Sequence, residues 1–171
     1  MGLMHHETDQ SESGATGDAY QNGSDTRLPP AARESLSRWL RMQAERSLQD
    51  LPAIVAKHAV FHSPVGLEPY RGRELVCLVL GTAAAVFDDF RYHRCYYSPS
   101  GAVLEFSARI RGQQLRGVHM IAFDAAGKIV EVEKMVRPSA AAVMLGNAIG
   151  EKSGPQIRAL RGNADQPIRQ L

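Results

Sequence analysis

A change of period about halfway along the chain constrains its fold more than any other feature. Up to about residue 87 apolar residues recur every three or four positions; from about residue 90 they alternate with polar ones. The first regime predicts an amphipathic helix over 31–47, with Leu36, Trp39, Leu40 and Met42 between Arg and Glu. It also predicts a short helix over 48–57, which tolerates Pro52 in its first turn, and a third helix over 72–87. Ala59 to Ser63 interrupts it as a strand stopped by Pro64. The second regime predicts four strands, over 90–97, 102–111, 114–124 and 128–137, punctuated by Ser98-Pro-Ser-Gly101, Gly112 and Ala125-Ala-Gly127. A last helix over 139–149 ends near Gly150. Helices gathered on one face of an antiparallel meander make an α+β domain rather than a doubly wound one.

Alternation assigns faces. Leu104, Phe106, Ala108 and Ile110 must face the helices, opposite Glu105, Ser107 and Arg109. In the last strand Val130, Val132 and Val136 share one parity against Glu131, Glu133 and Arg137, yet Lys134 has the parity of the valines. Such local inconsistencies concentrate at functional sites. In 114–124 the sets Gly117, His119, Ile121, Phe123 and Val118, Met120, Ala122 compete, and pattern alone does not choose between them.

The 171 residues suit one folded unit over 31–150, with a flexible polar tail over 1–30 and a flexible extension over 151–171. A hydrophobic content of 44% is enough for a core. The net charge is only +2 and the basic residues are scattered, which argues against a nucleic-acid partner. No apolar run approaches the roughly 18 residues of a membrane span. Cys77 and Cys95 sit in no metal or disulfide spacing and read as reduced thiols of a cytoplasmic protein. His58 and His62, four apart on a strand, form no metal site.

Three segments in order carry a resemblance: Phe61-His-Ser-Pro-Val-Gly66, Tyr70-Arg-Gly-Arg-Glu74, and Phe123-Asp-Ala-Ala-Gly-Lys-Ile-Val-Glu131, followed by Met135-Val-Arg-Pro138. Over about 33–150 the chain resembles the NTF2-like superfamily, in particular its SnoaL-like branch, related to polyketide cyclases and ketosteroid isomerases. The resemblance implies a cone of curved antiparallel sheet around helices, an internal hydrophobic pocket, and a homodimer. It places Ser63 where steroid isomerases carry a carboxylate base, His119 where they carry a neutral acid, and Trp39 near their oxyanion tyrosine. It places Lys134 where polyketide cyclases carry an acidic residue, so the familiar acids are replaced throughout.

The same alignment turns His119 inward, beside Lys134 on the neighbouring strand. A lysine near a buried imidazole keeps the imidazole neutral, and a lysine in apolar surroundings can itself lose its proton. The expected site therefore has His119 as acid/base and Lys134 as its electrostatic partner. Ser63, Tyr70 and Trp39 would orient a hydrophobic small molecule against a wall of Leu104, Phe106, Val132 and Val136. Two readings stay open: a cofactor-independent isomerase, cyclase, dehydratase or hydrolase, and a non-catalytic binding or dimerisation module. Against either stands the plainer possibility that His119 is a satisfied core histidine and Lys134 reaches to the sheet edge.

Overall fold

In the computed structural model residues 27–164 are described, so most of the expected N-terminal tail and residues 165–171 lie outside the description. Helix α1 (Pro30–Ala44) opens on a proline at a position where its missing N–H costs nothing. It buries Leu36, Trp39 and Met42, one stripe at helical spacing. Strand β1 (Val55–His62) leads to the two-residue strand β2 (Tyr70–Arg71) and then to α2 (Arg73–Val86). The meander follows as β3 (Asp88–Ser98), β4 (Gly101–Ile110), β5 (Gln113–Phe123) and β6 (Ile129–Arg137), and α3 (Ser139–Ala164) closes the described chain.

The six strands form one sheet in the order β2-β1-β6-β5-β4-β3. Short turns make the meander antiparallel throughout; between β4 and β5 the turn Arg111-Gly112 has φ of 49° and 81°, matching the strands' right-handed twist. Strand β1, which returns through α2, lies parallel to β6, so the sheet is mixed. Helices and one sheet face enclose a single core that runs from Leu28 and Trp39 through Phe61, Phe87 and Phe106 to Leu145 and Ile157.

Two expectations from the sequence are corrected. The short helix over 48–57 is only one tight turn, Leu51–Ala53, and the strand starts at Val55. Pairing overrides propensity there: Ile129 N–H donates to the Ile54 carbonyl at 2.8 Å, and Val55, Ala56 and Ala59 are buried. The last helix does not stop at Gly150 but continues through residues assigned to a loose extension. Ser153 and Ile157 are buried, Ser153 Oγ shares a 2.8 Å hydrogen bond with Thr82 Oγ of α2, and Glu151 pairs with Arg111. These contacts outweigh the one intrahelical bond that Pro155 forfeits by lacking an N–H.

Candidate functional site

The β5–β6 register places His119 directly opposite Lys134, and the β4–β5 register places His119 opposite Leu104. Both polar residues project into the core, with His119 2% and Lys134 4% exposed. No buried carboxylate accompanies them among the described residues, where the other buried polar side chains are Ser35, Gln43, Thr82 and Ser153.

Aromatic rings surround the pair. Phe106 stacks on His119 at 4.7 Å between centroids, Phe90 lies on it at 6.3 Å, and Trp39 meets it edge-on at 5.6 Å. Lys134 Nζ lies over the faces of Phe87 and Phe61, at 5.2 and 5.8 Å from the centroids. Gly117 makes the Phe106–His119 stack possible: a Cβ there would meet Phe106 Cζ at 2.6 Å and the Met135 carbonyl oxygen at 2.3 Å.

A polar chain crosses this apolar nest. Trp39 Nε1–H donates to Tyr92 Oη at 2.8 Å, and Tyr92 Oη lies 2.8 Å from His119 Nδ1. The assignment that satisfies these three groups has Tyr92 donating its hydroxyl hydrogen to Nδ1. The imidazole proton then stands on Nε2, which is buried and has no hydrogen-bond partner. An orphaned buried donor costs about 1–3 kcal/mol and calls for an explanation.

Electrostatics follow from burial. Desolvation holds His119 well below the usual imidazole range, and the positive charge of Lys134 acts in the same direction. Desolvation pulls Lys134 down to about 7, so near neutral pH a large fraction is a free amine. Near pH 7 the pair thus consists of a neutral imidazole, offering an N–H, beside an amine with an available lone pair.

The remaining candidates divide. Trp39 is a core residue, 1% exposed, and also the first donor of the polar chain. Leu104, Phe106 and Val132 are fully buried on the same face, whereas Val136 is half-buried. Ser63 follows the last residue of β1, and its Oγ accepts a 3.4 Å hydrogen bond from Val65 N–H. Tyr70 stacks on Phe61 at 5.9 Å, and the Arg161 guanidinium of α3 lies 4.5 Å from its ring centre. Its ring contact with the site runs through Phe61. Tyr92 links Trp39 to His119; the sequence offers it only together with His93, Tyr96 and Tyr97, four polar aromatic tips suited to orient a ligand or to lie at a dimer face, and does not separate it from the others. Its signal was obscured by a bulge: Tyr92 pairs with Phe106 but Arg94 with Glu105, so the inward parity of β3 changes between them. Three clefts, of about 470, 400 and 680 Å³, open on the opposite, outer face of the sheet and are lined by residues such as Tyr96, Met120 and Arg109.

Comparison with known proteins agrees with this fold. A structure described as a steroid delta-isomerase from Pseudomonas aeruginosa is 38% identical, spans 77% of this chain and 97% of its own, and superposes with a TM-score of 0.73. An uncharacterised protein with a cystatin-like fold from Silicibacter pomeroyi is 26% identical, over 74% of this chain and 90% of its own, with a TM-score of 0.69. An NTF2-like protein of unknown function from Mesorhizobium loti, 19% identical over 65% of this chain and 98% of its own at a TM-score of 0.58, shares the fold. A search of the curated proteins returns no significant match. The sequence model of the SnoaL-like domain matches residues 36–132, more than half of the chain, and the protein belongs to the SnoaL-like family on an NTF2-like fold.

Proposed function

We propose that the protein binds an apolar, carbonyl-bearing small molecule between the sheet and the helices and moves a proton at the carbon next to that carbonyl. The observation that carries this reading is the buried Nε2–H of His119, an unused donor in an apolar nest. A carbonyl oxygen is the acceptor it lacks, and a preorganised donor of this kind stabilises the oxyanion that develops as the proton leaves. The amine of Lys134, pulled down to about 7, is matched to accept that proton near neutral pH. Phe61, Phe87, Leu104 and Phe106 supply the apolar surface. Phe90 and Tyr92, half-buried on the edge strand, form the side through which a ligand enters. The likeness to a steroid delta-isomerase supports the same class of reaction.

The absence of a buried carboxylate among the described residues favours a second reading, a binding module without turnover. A panel of apolar ketones, including a β,γ-unsaturated steroid ketone, separates the two. Appearance of the conjugated enone, abolished in His119→Ala and Lys134→Met, supports the enzyme. Stabilisation by the ketones without conversion supports the module, and neither effect refutes the site.

We also propose that a second copy packs on the outer sheet face. Tyr96 and Met135 are exposed there between an arginine-rich end, with Arg109, Arg116 and Arg137, and an acidic end, with Glu131 and Glu133. A two-fold axis through the middle sets each end against its complement. Sedimentation should show a dimer that Arg116→Glu weakens.

A further inference from the structure

Lysine is scarce in this chain: the four are Lys57, Lys128, Lys134 and Lys152, against sixteen arginines. Lys57 and Lys152 are exposed, and the Lys128 ammonium donates to the Ala53 carbonyl at 2.7 Å while its backbone N–H donates to Asp124 Oδ1. Lys134 alone of them lies in the core, and among the described residues no carboxylate is buried with it. From β1 it meets the ring of Phe61, from the end of α2 the ring of Phe87, and from β5 the imidazole of His119. A buried lysine without an anionic partner is costly to keep, and an exposed lysine would offer the same charge without that cost. A desolvated amine gains nucleophilicity instead.

We propose that Lys134 captures an apolar aldehyde or ketone covalently, as an imine, with His119 Nε2–H holding the carbonyl oxygen. The inference rests on the reading above, that His119 receives a carbonyl. The lone pair of Nζ attacks the carbonyl carbon, a C–N bond forms, and the C–O π electrons move to the oxygen under the His119 hydrogen bond. One N–H proton passes to that oxygen, giving a carbinolamine. The nitrogen lone pair then expels hydroxide, which takes the remaining N–H proton and leaves as water. The net change is amine plus carbonyl compound to imine plus water, with no oxidant or metal. Hydrolysis reverses it, and the same steps serve any substrate with an apolar body and an unhindered carbonyl.

The test uses cinnamaldehyde as probe and sodium cyanoborohydride as the reductant that fixes an imine as a secondary amine. Labelling is followed by intact mass and peptide mapping on the full chain. The expected result is one adduct, on Lys134, forming at least about tenfold faster than on Lys57, Lys128 or Lys152 at pH 7, as expected from the larger fraction of free amine. Labelling of Lys134 should also reach half its maximal rate near neutral pH. Lys134→Arg should remove the adduct, and mapping on the wild-type chain stands alone should that variant fail to fold. Adducts only on the exposed lysines overturn the proposal. Cinnamyl alcohol, which cannot form an imine, separates the two levels of inference in a parallel thermal shift. Binding of both compounds without an adduct at Lys134 overturns the covalent step and leaves the site; binding of neither overturns both.

Discussion

Replacing Lys134 by Met keeps the length and apolar stem of the side chain and removes the ammonium. The fold lowers this group from 10.5 to about 7 through desolvation alone. Between those two values the unfolded chain binds more protons than the folded one, so wild-type stability rises with pH across the window. At about 1.36 kcal/mol per pKa unit, the penalty for keeping Lys134 inside is about 4 kcal/mol at pH 7.0 and about 1.5 kcal/mol at pH 9.5. Below about 7 both states are charged and the penalty is constant; above about 10.5 it vanishes. Changes in packing introduced by Met are the same at both pH values and cancel in the difference. The titration of His119 lies lower still, outside the window. Urea unfolding, read by the fluorescence of the single tryptophan, the buried Trp39, gives the comparison directly. The advantage of Lys134→Met over wild type should be about 3 kcal/mol larger at pH 7.0 than at pH 9.5. An advantage equal at the two pH values refutes the reasoning, because it means that the ammonium is solvated or paired in the folded chain.

Other perturbations address the rest of the site and the fold. Tyr92→Phe leaves Trp39 Nε1–H and His119 Nδ1 without the oxygen between them, and should lower stability by about 1–3 kcal/mol in the same unfolding assay. Gly117→Ala forces a methyl group against Phe106 and the Met135 carbonyl. It should cost about 1–3 kcal/mol and shift the His119 ring resonances in NMR spectra. Ending the chain after Gly150 removes buried Ile157 and the Ser153 partner of Thr82. The loss should approach about 3 kcal/mol, a fall of roughly 6–12 °C in the melting temperature.

The period change near residue 88 was legible, and it yielded the meander, the α+β class and the inward side of β4 and β6. Lys134 announced itself by standing on the wrong parity, and the structure places it inside, where that parity put it. His119 was not decidable from alternation in β5, because Gly117 leaves one inward position without an apolar side chain and Met120 adds one outside; only the family likeness turned it inward. Tyr92 could not be told apart from His93, Tyr96 and Tyr97 for a different reason. Side-chain alternation is a local rule, whereas a bulge is set by the partner strand, so β3 carried no clue about where its two halves change phase. The long α3 was misjudged because glycine and proline report backbone preference, and tertiary burial of Ile157 and Ser153 decided the outcome.

The bulge at His93 also divides β3 into two independently addressed segments. Upstream, Phe90 and Tyr92 face the buried histidine; downstream, Cys95 and Tyr97 face inward and Tyr96 outward. Because the extra residue absorbs one step of the alternation, the strand can present rings to the interior before it and to the outer face just after it, without a change of direction. A regular ladder that kept His93 in step would force one half to exchange faces with its neighbours. Either the histidine would lose its phenol or Arg94 would turn toward the core. A single inserted residue thus sets both the chemistry of the interior and the character of the exterior surface.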